Sequence, residues 1–76
     1  MAVADTVKEL ISKQLNRSID EVTCDKEIVK DLGADSLDVV EMLMSLEEEF
    51  NISIPDEAIP TIKTVGELVG YIEKNI

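Results

Sequence analysis

The sequence contains no histidine, one cysteine, one phenylalanine and one tyrosine in 76 residues. Without histidine the commonest general base is missing, and nothing in the chain would activate a serine hydroxyl as a nucleophile. The lone Cys24 closes no internal disulfide and fits a reducing compartment. Its neighbours Asp20, Glu21, Asp25 and Glu27 disfavour the thiolate, so it does not replace the missing nucleophile. No apolar run approaches the roughly 20 residues of a membrane span. The opening "MAVADTVKEL" has neither the apolar core of a signal peptide nor the Arg-rich character of a transit peptide. The expectation is a cytoplasmic protein, or the mature form of an organellar one.

Basic residues are scarce as well. Seventeen Asp and Glu stand against seven Lys and Arg, a net charge of -10. From Asp31 to Ile62 there are nine acidic residues and no Lys or Arg. Such a surface repels nucleic-acid phosphates and anionic lipid and attracts basic protein patches, so nucleic acid and membrane are not expected as partners.

Apolar residues make up 45% of the chain against 32% charged, and most are Leu, Ile and Val, which suits a packed helical fold better than disorder. A chain of this length buries only about 60% of the surface its unfolded form exposes, so the core is small and leaves no room for an elaborate enclosed site.

Val3, Val7, Leu10, Ile11 and Leu15 recur at helical spacing, with Asp5 near the start and Asn16 as a stop, which predicts a helix over 3–15. The stretch 17–35 has no sustained period and is long for a connection in so small a chain; Val22, Ile28, Val29 and Leu32 are expected to pin it to the core, and Gly33 to turn it. Asp35 or Ser36 caps a helix reaching Phe50, with Asp38 adding favourable negative charge in its first turn. Residues 56–61 hold only a short helical piece, limited by Pro60. The final helix starts from a capping box, Thr64 with Glu67, and buries Val65, Leu68, Val69, Ile72 and Ile76. The expected fold class is all-α: a small four-helix bundle of three longer helices and one short one, with a long loop between the first two.

The helix in "DLGADSLDVVEMLMSLEEEF" carries the functional signal. At about 100° per residue, Val39, Leu43, Leu46 and Phe50 gather on one side with Met42 on their flank, and this is the predicted core face. Leu37 and Met44 fall opposite, beside Glu41 and Glu48, with Val40 and Glu47 at one margin. Scattered exposed apolar residues are ordinary, and a neighbouring helix could cover part of this face. Apolar anchors among like charges, with no Lys to relieve them, nevertheless form a pattern suited to docking: charge steers a basic partner, and Leu37 and Met44 bury on contact.

Ser36 opens this helix. A serine there commonly caps, but Asp35 can do that work and leave the hydroxyl free for modification. A phosphate at the helix start gains about 0.3 to 1 kcal/mol from the dipole, and Asp35 and Asp38 oppose it to a similar extent. A covalent ester does not need that help. The glycine spacing of a nucleophile elbow is absent, since Gly33 lies three residues before Ser36 and Leu37 follows it. An EF-hand reading from Asp31 also fails, with Gly33, Ser36 and Met42 at positions 3, 6 and 12. No defined metal site is expected, only weak divalent binding by clustered acids.

These residues resemble the acyl carrier proteins of dissociated (type II) fatty acid synthesis. The likeness is carried by "GADSLD" opening an acidic helix and continues through "IPDE" and "TVGELVGYIEKNI", over nearly the whole chain. It implies a single acyl carrier domain over 1–76, monomeric and without catalytic residues of its own. In the family, the serine matching Ser36 receives 4'-phosphopantetheine from coenzyme A through a separate phosphopantetheinyl transferase, and the thiol of that arm carries growing acyl chains as thioesters. The resemblance further implies docking through Asp35, Leu37, Asp38, Val40, Glu41, Met44, Glu47, Glu48 and Asp56 to basic patches on the transferase and on fatty acid synthesis enzymes. It implies as well that the acyl chain can tuck between the helices. The likeness departs at "AIPT", where the family usually has polar or charged residues; Ile59 and Pro60 there bear on the length of the short helix and on its contacts. A specialised polyketide-type carrier is the near alternative, and an unmodified acidic adaptor using the same face is the alternative of a different class.

Overall fold

The computed structural model describes residues 2–76. Three α-helices, α1 (Val3–Leu15), α2 (Ser36–Phe50) and α3 (Val65–Asn75), carry the fold, with 3-10 helices at Ile19–Glu21 and Asp56–Thr61. Helix α1 packs against both α2 and α3. The fold is the small all-α bundle expected, with Asp56–Thr61 as its short fourth helix.

Each helix boundary has a local chemical cause. α1 and α2 both end where an asparagine takes the left-handed conformation, Asn16 and Asn51 each at φ 54°, and its N–H returns to the last turn. α3 starts from Thr64, whose hydroxyl accepts the Glu67 N–H while the Glu67 carboxylate accepts the Thr64 N–H, the expected capping box. The Ile19–Glu21 turn uses the same device, Ser18 with Glu21, inside a stretch that has no helical period.

The core joins Val7 and Ile11 of α1, Met42, Leu43 and Leu46 of α2, and Val65, Leu68, Val69 and Ile72 of α3. Val22, Ile28 and Leu32 pin the long loop beneath them, as expected, together with Ala34. Val29 does not: it is 58% exposed. Its carbonyl accepts the N–H of Gly33 in the turn that buries Ile28 and Leu32, and Val29 is left at the surface. Ile76 is likewise exposed rather than buried, because α3 ends one residue earlier at Asn75.

On α2 the core stripe is correct around the helix but shorter along it. Met42, placed on the flank, is 1% exposed, whereas Val39 and Phe50, near the two ends, are only half-buried. The loop is also held by backbone pairing that no side-chain period could reveal. Ile28 donates to the Lys63 carbonyl at 2.9 Å, Val65 to that of Lys26 at 3.0 Å, and Gly66 to that of Cys24 at 3.0 Å, around an antiparallel bridge between Glu27 and Thr64.

Candidate functional site

The approach to α2 is built by alternation. Leu32 and Ala34 are buried, Gly33 between them turns the chain at φ 74°, and the Ala34 N–H donates to the Ile28 carbonyl at 3.2 Å. A positive φ of this kind suits glycine, which has no Cβ to clash. With Ala34 anchored inside, Asp35 and Ser36 emerge at the surface.

Asp35, not Ser36, is the N-cap. Its Oδ1 accepts the Asp38 N–H at 2.9 Å, and Oδ2 of Asp38 accepts the Asp35 N–H at 3.3 Å. Capping is therefore complete without the Ser36 hydroxyl, which stands exposed on the first residue of the helix. A hydroxyl that is accessible and has no cap to satisfy can be esterified without dismantling the helix start. The site thus fits a phosphodiester-linked arm.

The docking residues inferred from the sequence lie on this same helix and its surroundings. Leu37, Val40 and Met44 are 66%, 47% and 55% exposed. Asp35, Glu41, Glu48 and Asp56 are exposed, Asp38 is half-buried in the cap, and Asp56 opens the second 3-10 helix. Glu47 is placed differently: it is half-buried, and its carboxylate accepts the Ile54 N–H at 2.7 Å, tying the chain after α2 back to the helix. Among the described residues the ion pair is Arg17 with Glu21 at 3.2 Å, so no acid of α2 is ion-paired. Among those residues, too, no three metal-ligating side chains come together, and no helix is long and apolar enough to cross a membrane.

A cavity of about 330 Å³ lies beside this face, at the low end of the roughly 300–1,000 Å³ of ligand pockets. Val39, Met42 and Leu43 of α2 form one wall, Ile28 and Val29 come from the loop, and Ile59, Pro60 and Ile62 from the second 3-10 helix and the residue after it. Val39 sits about one turn along α2 from Ser36. Periodicity places Val39 on the core face, but the void beside it depends on how neighbouring elements fail to fill space, which no period encodes.

A family model described as "Phosphopantetheine attachment site" matches residues 5–72. The chain belongs to the acyl carrier proteins. It is 56% identical to the acyl carrier protein of Wolinella succinogenes, covering 99% of both chains, and 55% identical to that of Helicobacter pylori strain J99, covering 99% of this chain and 96% of that protein. An acyl carrier protein structure from Enterococcus faecalis superposes with a TM-score of 0.83 at 40% identity, covering 97% of this chain and 94% of that one. Acyl carrier proteins are carriers rather than catalysts, and the prosthetic group of this carrier is 4'-phosphopantetheine. When attached, the arm supplies the thiol on which acyl groups travel as thioesters; the carrier's partners are those acyl chains and the enzymes of fatty acid synthesis.

Proposed function

We propose that Ser36 bears the arm and that the outer face of α2 presents it to partner enzymes. The observation that carries this reading is the division of labour at the helix start: Asp35 caps, and Ser36 is left exposed with its hydroxyl uncommitted to the cap. Loading follows from that chemistry. The Ser36 oxygen attacks the phosphorus that bears pantetheine in coenzyme A, a new P–O bond forms, and the pyrophosphate bond breaks to release 3'-phosphoadenosine 5'-phosphate. The hydroxyl proton passes to a base of the phosphopantetheinyl transferase, since this chain has no histidine to take it.

Partner recognition rests on Leu37, Val40 and Met44 as apolar anchors, with Asp35, Asp38, Glu41, Glu48 and Asp56 steering Lys and Arg patches on the synthesis enzymes and the transferase. Glu47 adds charge at the margin while its carboxylate holds Ile54. The apolar cavity between α2 and the second 3-10 helix receives the acyl chain, withdrawing it from water between visits. The setting for this traffic is the cytoplasm, and residues 1–76 act as one carrier domain.

Incubation with coenzyme A and a broad-specificity phosphopantetheinyl transferase tests the attachment site. The expected result is a covalent mass gain that Ser36→Ala abolishes; no gain on the parent chain would favour an unmodified adaptor. Glu41→Lys and Glu48→Lys test the face: both are expected to slow association with a partner enzyme at low salt while leaving unfolding nearly unchanged, and unaltered association would place docking elsewhere.

A further inference from the structure

Besides the loop residues Ile28 and Val29, the cavity is lined by two unlike helical walls. One is α2, in which Met42 and Leu43 are part of the packed core at 1% and 5% exposure. The other is the 3-10 helix Asp56–Thr61, which has no buried residue and contains Pro60. A dense core resists displacement, and the loop side is tied down by buried Ile28 and its bond to the Lys63 carbonyl, so of the two helical walls the second takes up a change in cavity size.

At its two ends that wall is held by short-range hydrogen bonds: the Ala58 N–H to the Pro55 carbonyl at 3.0 Å, the Thr61 hydroxyl to the Ala58 carbonyl at 2.6 Å, and the Ile62 N–H to the Ile59 carbonyl at 3.1 Å. In an α-helix through this segment, residue 60 would donate to the carbonyl of Asp56. Proline has no N–H to give, and its ring clashes with that carbonyl. A 3-10 helix loses the same donor, which would reach Glu57, so it is the clash with the Asp56 carbonyl that disfavours α winding and leaves the segment in the tighter 3-10 form, in which residues three apart eclipse one another. Ile59 and Ile62 are three apart, and both line the cavity.

We infer that Pro60 and Ile59 set the range of acyl lengths this carrier shelters, Pro60 by fixing the winding of the wall and Ile59 by the volume it projects. The inference rests on the reading that the acyl chain occupies this cavity. Pro60→Ala removes the ring clash with the Asp56 carbonyl and permits α-helical winding, with a rise of about 1.5 rather than about 2.0 Å per residue, which loosens the wall and shifts Ile59. Ile59→Ala enlarges the space directly, and Ile59→Phe reduces it.

The experiment loads the full chain with saturated acyl groups of increasing length and records the melting temperature of each acylated form minus that of the unacylated, arm-bearing form of the same variant. The subtraction removes any general loss of stability. In the parent this difference is expected to rise with chain length and reach a plateau. Pro60→Ala and Ile59→Ala move the plateau to longer chains, and Ile59→Phe moves it to shorter ones. A length-dependent parent with all three variants at the parent's plateau overturns the inference alone. A parent with no length dependence overturns the cavity reading beneath it.

Discussion

The Asp35 carboxylate accepts the backbone N–H of Asp38, and the Asp38 carboxylate accepts the N–H of Asp35, so two acids close the turn that holds Ser36 and Leu37 between them. The capping box is closed and negatively charged at once, which leaves the serine hydroxyl out of the cap and, on the reading proposed above, suits its surroundings to a basic partner.

Asp35 therefore has two separable roles. Asp35→Ala removes the cap and is expected to cost about 1 kcal/mol in denaturant unfolding, whereas Asp35→Asn, which still caps, should stay within a few tenths. Both variants should slow association with a basic partner at low salt. Equal stabilities for the two would contradict the capping role.

Two glycines of α3 are expected to respond in opposite directions. A Cβ added at Gly66 would lie 3.0 Å from the Cys24 carbonyl oxygen and 3.3 Å from the Cys24 Cβ, whereas one added at Gly70 meets nothing within 4 Å. Gly66→Ala should lower the melting temperature by prising α3 from the loop. Gly70→Ala should raise stability by up to about 1 kcal/mol through helix propensity. Similar effects at the two sites would deny the close loop contact.

Glu67 links the α3 cap to acid sensitivity. The backbone N–H of Thr64, then that of Lys63, hold its carboxyl below the usual glutamate range. A depressed carboxylate contributes stability that is present above the ordinary glutamate pKa and is lost as pH falls through the lowered value. Glu67→Gln should therefore destabilise the protein near neutrality and draw level with the parent in acid. Comparing the two chains cancels the relief of general charge repulsion, and a pH-independent difference would reject this linkage.

Much of this molecule is legible in its sequence because the decisive signals are local. Asn16, the Thr64 and Glu67 box and the opposition of Leu37 and Met44 to Leu43 and Leu46 are read within one or two helical turns. Val29 and Ile76 lie outside the core because an apolar residue in a turn or at a helix end follows the backbone path rather than a period. The pairing of the 24–28 segment with residues 63–66, and the void beside Val39, come from elements distant in sequence. Glu47 is the subtlest case: its helical angle shows a surface acid, but its bond to Ile54 depends on where the chain goes after Asn51.

Charge repulsion is expected to limit the stability of the fold. The last turn of α2 contains Glu47, Glu48 and Glu49 with no basic residue, against the preference of a helix C-terminus for positive charge. With a net charge of -10, the melting temperature should rise with added sodium chloride and with millimolar magnesium, as screening and loose counterion binding relieve repulsion. Indifference to both would contradict this.

The most direct test of the central claim is fragmentation mass spectrometry of the parent chain after loading by the transferase with coenzyme A. The account predicts one phosphopantetheine adduct per chain, carried by the fragment that contains Ser36. An adduct mapped to Ser12, Ser18, Ser45 or Ser53, or a chain that stays unmodified, would contradict it.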